Sequence, residues 1–290
     1  MGVRGAWSAF RRLFPTIDPT TLEHTKFKIG IDMFSLVYTH RANLEDLLAL
    51  LNTWQAAGHI FTCVWDGVAP KEKQEIVGQR RSARESAMTK KGDLQEYLEK
   101  FEGQLTDTDI KHIKTAITSF SWQGWHLTGS LKKQIQESLG PNTTHIHAEG
   151  EADDLLIQMS FDKTIDVIMS LDSDLFVMGG EHIWRLLRIR QQWIVEDIHV
   201  EEICNHWGIN LAQLQDAAFL AGWDRCHLNG ESYMAFESAL HRIKYYGQIN
   251  TVIEKFVNAD SIVNKEAMDR LKVIKKESRE RWIQILNRRK

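Results

Sequence analysis

Over most of the first 200 residues, short apolar runs alternate with longer stretches of helical spacing, and each run ends on acid. Phe27-Lys28-Ile29-Gly30-Ile31 ends at Asp32, and His59-Ile60-Phe61-Thr62-Cys63-Val64-Trp65 ends at Asp66-Gly67. Thr144-His145-Ile146-His147 precedes Glu149-Gly150-Glu151-Ala152-Asp153-Asp154, and Asp166-Val167-Ile168-Met169-Ser170-Leu171 leads into Asp172-Ser173-Asp174. Apolar runs of this length, separated by helix-patterned segments, read as buried parallel strands. A helix is predicted over 44–55 and late strands over 182–187 and 193–195. Residues 214–222 carry helical apolar spacing (Leu214, Ala217, Ala218, Ala221) and terminate at Trp223-Asp224. From Glu201 onward the pattern is helical. The predicted fold class is α/β, a mostly parallel sheet flanked by helices, with a helical C-terminal region.

Residues 67–125 break this alternation. They are polar, rich in charge and helical by spacing, and they are too long for an ordinary strand-to-helix loop. They read as a helical insertion over the sheet edge. There are no repeats and no low-complexity linkers. At 290 residues and 43% hydrophobic composition the chain can bury one substantial core, with a small module appended. No apolar run reaches the roughly 18 residues of a membrane span, and the first residues carry no signal-peptide pattern. Cys63, Cys204 and Cys226 form no CxxC pair and suit a reducing compartment. The ten Trp read mainly as packing residues.

The net charge of −3 argues against a polyanion partner only if charge is spread evenly. It is not. Residues 71–91 hold seven Lys/Arg (Lys71, Lys73, Arg80, Arg81, Arg84, Lys90, Lys91) against three Glu, and residues 264–290 hold ten against four acids. Basic segments beside an acidic centre suit a nucleic acid whose backbone is gripped by one and cut at the other. A solvated helix face is the plainer reading of either run, and for the C-terminal one it is the preferred reading.

A single Asp after a strand is ordinarily a turn residue or helix cap. Here Asp32, Asp66, Glu149, Glu151, Asp172, Asp174 and Asp224 all follow apolar elements, and ligands of open α/β sheets bind at such carboxyl ends. Carboxylates brought this close repel unless cations neutralise them, and hard oxygen ligands suit Mg²⁺ or Mn²⁺. The constellation is the one a two-metal phosphodiester hydrolase needs.

With these residues in view, roughly 1–235 resembles the flap endonuclease/XPG family of structure-specific 5′ nucleases. The likeness rests on Met1-Gly2-Val3, Ile31-Asp32, Trp65-Asp66-Gly67, Glu149-Gly150-Glu151-Ala152-Asp153, Leu171-Asp172-Ser173-Asp174-Leu175 and Leu220-Ala221-Gly222-Trp223-Asp224. The resemblance implies a PIN-like sheet with a helical arch over 67–125, a helix-two-turn-helix region over 201–235 and a basic helical segment over 236–290. It implies two Mg²⁺ ions, with Mn²⁺ as a substitute. Asp66 and Glu151 would hold one directly, helped through water by Asp32 and Glu149. Asp172 and Asp174 would hold the other, with Asp224 reaching it through water. Lys73 and Arg80 would clamp the scissile phosphate. Gly2, Arg81, Arg84, Lys90, Lys91 and Gly230 would lie along DNA carrying a 5′ flap, gap or junction.

The departures matter too. After Asp224 stands Arg225-Cys226-His227-Leu228-Asn229-Gly230-Glu231-Ser232, where the family has a Gly-x-Gly loop that binds K⁺ and the duplex backbone. The replaced glycine hinders close approach of the backbone, and a carboxylate there opposes phosphate. Both argue against duplex binding through this loop and, with the family's loop altered, against its K⁺ site. The C-terminus shows no aromatic pair of a sliding-clamp box. In these respects the chain is similar to the divergent versions carried by large DNA viruses such as poxviruses. The expected role is cleavage in replication, recombination or repair, in the nucleus or, for a viral protein, in a cytoplasmic replication factory. The alternatives are a PIN-like ribonuclease and a non-catalytic DNA-binding replication factor.

Overall fold

The computed structural model describes residues 2–69, 74–223, 225–226, 233–256 and 265–288. The chain divides into two compact units, residues 1–70 with 135–290 and residues 71–134. Lys71, Lys73, Asp224, Gly230 and Glu231 lie outside the described residues.

The larger unit is built on a seven-stranded sheet. Its strands are β1 (Thr16–Ile17), β2 (Lys28–Asp32), β3 (Ile60–Trp65), β4 (Thr143–His147), β5 (Val167–Met169), β6 (His182–Ile189) and β7 (Gln192–His199), in spatial order β1-β7-β6-β5-β2-β3-β4. β2, β3, β4, β5 and β6 run parallel, whereas β7 is antiparallel to both β6 and β1. The α/β class and mostly parallel sheet are as the apolar runs predicted. The short β1 and the full length of the β6–β7 ribbon are not. That ribbon turns through Arg190 and Gln191, both with positive φ. Such two-residue turns normally advertise themselves by Asn-Gly or Asp-Gly, so this one was invisible in the sequence.

The sheet's order explains where function sits. From β2 the chain moves outward through β3 to β4, then returns to place β5 on the other side of β2. The boundary between β2 and β5 is a topological switch point, where open α/β sheets leave a crevice at their carboxyl ends. Asp32 and the Asp172/Asp174 pair flank it, because they terminate those two strands.

Packing fixes the elements around that edge. The helix Ala6–Phe10 buries Ala6 and Phe10, and Phe10 meets Phe176 and Phe236 edge-on at 5.4 Å each. Trp7 adds an edge contact to Phe176 at 5.5 Å and donates its indole N–H to the Leu171 carbonyl. Edge-to-face aromatic pairs add roughly 0.5–1.5 kcal/mol beyond their buried area. These contacts tie the amino-terminal segment to the loop that bears Asp172 and Asp174.

The C-terminal helix Lys265–Arg288 leaves Lys265, Lys272, Lys276 and Arg279 exposed and packs along another side. Ala267 and Leu271 are buried, Gln215 donates to Ser278 Oγ at 2.8 Å, and Lys275 Nζ lies 2.7 Å from Asp216 Oδ1. A helix of low mean apolarity is thus held by a narrow stripe and by polar partners on Leu211–Leu220.

The smaller unit is a helical hairpin. Gln74–Phe101 runs back against Asp107–Gly124, whose start is fixed by a Thr106–Asp109 capping box. Lys90 Nζ stands 5.8 Å over the Phe120 ring.

Candidate metal centre

The β2 terminus carries two roles at once. Asp32 caps the following helix Met33–His40 through Ser35 N–H at 3.0 Å, and its other oxygen accepts the Ser170 hydroxyl at 2.8 Å. Buried at this point, its carboxyl is pushed up to about 7, with Asp66 and Asp172 adding repulsion and the two hydrogen bonds opposing it. Ser170 also receives Asp172 N–H at 3.1 Å, so one hydroxyl links the ends of β2 and β5.

Asp66 stands after β3 and accepts the Ala152 N–H at 2.7 Å, at the start of the helix Ala152–Phe161. The adjoining loops are locked by backbone bonds from Gly67 N–H to Gly150 O at 2.7 Å and Val68 N–H to Glu149 O at 3.1 Å. A Cβ at residue 67 would collide with the Ala148 carbonyl oxygen and stand 2.6 Å from that of Glu149. Glycine is required there because two backbones meet.

Asp172 and Asp174 form a turn in which Asp174 N–H donates to Asp172 Oδ1 at 3.1 Å. Gly2 rests against this pair at φ +58, and Val3 N–H donates to Ser173 Oγ at 2.7 Å. A side chain at Gly2 would overlap Asp172 Oδ1 and Ser173 Oγ and press on Asp174 Oδ1. The structure places Gly2 against these acids, at the edge where the resemblance sets it beside a nucleic acid.

Two residues absent from the expected metal set complete the centre. Asp153 is buried on the inner face of its helix, and its ligand oxygen lies within 4.8 Å of those of Asp172 and Asp174. Burial raises its pKa well above normal, reinforced by Asp172 and Asp32. The signal was present in helical spacing, since Asp153 shares a stripe with Leu156, Ile157 and Ser160.

Arg225 is the other. Its side chain is only 13% exposed, with Nη2 2.9 Å from Glu151 Oε2, Nη1 3.0 Å from Asp154 Oδ1, Nη2 3.8 Å from Asp153 Oδ2 and Nε 3.7 Å from Asp174 Oδ2. Burial alone would lower its pKa, but Asp154, Asp153, Asp174 and Glu151 outweigh that and raise it. Nothing in periodicity marks an arginine beside the last acid as a buried counter-charge.

Of the seven expected ligands, Asp32, Asp66, Glu151, Asp172 and Asp174 converge in one electrostatic cluster, joined by Asp153. Glu149 is exposed and enters neither the arginine pairs nor the tight oxygen group, and Asp224 is outside the described residues. Among the described residues these carboxylates outnumber the guanidinium of Arg225, and Asp32 and Asp153 remain raised despite it. Such a hard, all-oxygen, under-neutralised donor set fits divalent cations.

In the smaller unit Arg80 and Arg81 are exposed on Gln74–Phe101, Arg81 paired with Glu85 at 2.9 Å, while Arg84 and Lys91 are half-buried and Lys90 sits over Phe120.

Residues 142–224 match the XPG I-region, which spans Glu149, Glu151, Asp153, Asp172, Asp174 and Asp224. Flap endonuclease 1 of Sulfolobus acidocaldarius is 26% identical over 252 residues, covering 82% of this chain and 64% of that protein. Over this region, and at this identity, the chain is similar to the flap endonuclease/XPG family. It spans less than two thirds of the length of the curated relatives it matches. A similar fold is seen in the catalytic core of Rad2, with a TM-score of 0.61 at 20% identity over 94% of this chain and 78% of that one. Flap endonuclease-1 from Methanococcus jannaschii superposes with a TM-score of 0.54 at 17% identity, covering 91% and 83% respectively. At these identities the likeness is one of fold.

Proposed function

We propose that this chain is a Mg²⁺-dependent structure-specific nuclease that hydrolyses DNA phosphodiesters at 5′ flaps, gaps or junctions, in replication, recombination or repair. The observation that carries the reading is the convergence of Asp32, Asp66, Glu151, Asp153, Asp172 and Asp174 at the switch point between β2 and β5. In this reading Asp66 and Glu151 hold one ion, with Asp32 and Glu149 helping through water. Asp172, Asp174 and Asp153 hold the other, with Asp224 assisting. Ions bound there would lower the pKa of water and stabilise charge on the attacking and leaving oxygens. The protein's own residues orient that chemistry. Ser170 holds Asp32 and the Asp172 backbone in register, and Gly2 packs against the second acidic pair without a side chain.

Relatives of the same architecture support a DNA substrate, since the Rad2 core is known in complex with DNA substrate and human GEN1 with Holliday junction DNA. Lys73 and Arg80 are assigned the clamp on the scissile phosphate, with Arg81, Arg84, Lys90, Lys91 and Gly230 along the backbone, because Lys/Arg contacts supply the sequence-independent affinity. The test is direct: incubate the purified chain with Mg²⁺ and 5′-labelled flap, gapped, nicked, Holliday-junction and single-stranded DNA, with matching RNA. Cleavage restricted to branched or gapped DNA is expected. Preferential cutting of single-stranded RNA would instead establish a PIN-like ribonuclease.

A further inference from the structure

The antiparallel ribbon carries a second cluster with different chemistry. His182 opens β6 and His199 closes β7, and the two are direct cross-strand partners. Asp197 lies two residues before His199, opposite Trp184, so all four side chains share one face of the ribbon. His182 Nε2 is 2.6 Å from Asp197 Oδ1, His199 Nε2 is 3.6 Å from Asp197 Oδ2, and the two imidazoles stack with centroids 4.2 Å apart. One ligand atom from each residue lies within 4.8 Å of the other two.

We propose that His182, Asp197 and His199 form a transition-metal site, selective for Zn²⁺ over Mg²⁺. Tetrahedral Zn²⁺, with bonds near 2.0–2.1 Å, separates its ligand atoms by roughly 3.3 Å. His199 Nε2 stands 3.6 Å from Asp197 Oδ2, and the 2.6 Å hydrogen bond between His182 Nε2 and Asp197 Oδ1 is the contact an ion would replace. Two borderline imidazoles beside a single carboxylate favour Zn²⁺ and its neighbours, whereas Mg²⁺ prefers all-oxygen sets. Ligands at i and i+2 on one strand, plus one directly opposite on its neighbour, need no loop to position them. Trp184 supplies the outer support: its indole N–H donates to Asp197 Oδ1 at 2.9 Å, while its ring is buried edge-on against Phe27 at 4.9 Å. Such partners hold a ligating carboxylate in orientation. His199 is 39% exposed, which gives an ion an entry path and leaves water the fourth position.

This cluster is separate from the carboxylate centre. Ile183 pairs with Ile168 and Trp184 with Met169, so His182 lies level with Val167 at the amino end of β5. Asp172 and Asp174 follow the carboxyl end of the same strand. A Zn²⁺ ion here would pin the open ends of the β6–β7 ribbon together, a structural role that nuclease assays alone would miss.

The experiment is a calorimetric titration of the chelator-stripped full chain with Zn²⁺ in excess Mg²⁺, which keeps the carboxylate centre loaded with a hard ion. One saturable Zn²⁺ site is expected in wild type and in Asp172→Asn, weakened at least about tenfold in His199→Ala and Asp197→Asn. Zn²⁺ should also raise the melting temperature of wild type but not of His199→Ala. Circular dichroism verifies that each variant is folded, and His199→Ala removes only a part-exposed ring. A folded wild type that takes up no Zn²⁺ under these conditions overturns the proposal, as does a His199→Ala variant that binds it as tightly as wild type.

Discussion

Arg225 reaches Glu151 across the carboxylate edge, Nη2 to Oε2 at 2.9 Å, and makes the same guanidinium serve Asp153, Asp154 and Asp174. The chain therefore carries a fixed cation inside its proposed metal centre, directly after the last expected ligand, Asp224. Removing one partner of a buried charge pair costs about 3–5 kcal/mol. Arg225→Ala is expected to lower the melting temperature in chelator, because the acids lose that neutralisation. Added Mg²⁺ should close much of the gap and bind more tightly than in wild type. Melts with and without Mg²⁺, with calorimetric Mg²⁺ titration, decide this; equal losses in both conditions mean that Arg225 acts only through packing.

Asp172→Asn and Asp174→Asn should each reduce cleavage by at least about tenfold, the lower end for loss of a metal's support, while DNA binding stays near wild type. Both side chains sit where β5 ends, and one is buried with Arg225 beside it. Parallel cleavage and binding assays measure the split. Cleavage within threefold of wild type would remove these residues from the metal set.

Asp32 gives a pH dependence of definite sign. Burial, then repulsion from Asp66 and Asp172, pushes its carboxyl up to about 7 from 3.8 in the unfolded chain. The neutral form is favoured in the fold, so its contribution is full below about 4 and is lost as pH rises through about 7. In chelator, Asp32→Asn should match wild-type stability near pH 4 and exceed it increasingly up to pH 7. Denaturant melts across that window check it, and a pH-independent difference contradicts it.

Gly2→Ala should damage activity more than stability. A methyl at φ +58 overlaps Asp172 Oδ1 and Ser173 Oγ, so the second acidic pair must move. We expect cleavage to fall at least about tenfold, since a shift of an ångström at a reacting centre can cost 10²-fold. Stopped single-turnover assays beside thermal melts separate the two effects; unchanged turnover would mean the pair tolerates displacement.

Arg80→Ala is expected to lower the single-turnover rate by about 10²-fold, in the range for losing one oriented donor to transition-state charge. Arg80 is exposed on Gln74–Phe101, free to meet a substrate phosphate. Rates at saturating DNA provide the measure. Weaker binding with an unchanged saturating rate would make Arg80 a backbone contact only.

The alternation of apolar runs with acids already specified a parallel α/β sheet with Asp32, Asp66, Glu151, Asp172 and Asp174 at one edge. That much follows from the chain because strand length and strand polarity are local: an acid after a buried parallel strand can emerge only at the carboxyl end. Helical spacing likewise carried Leu211–Leu220 and the helical character of the smaller unit. The tertiary structure alone decided the rest. It buried Asp153 against Asp172, turned Arg225 inward, set Gly2 on the acidic pair and packed Lys265–Arg288 on Asp216 and Gln215. Each of these depends on a partner distant in sequence: the helical stripe marks Asp153 as inward-facing, but no local period names the group it meets. The same holds for the turn that joins β6 to β7 at Arg190-Gln191, which is held by sheet pairing against its own residue preferences.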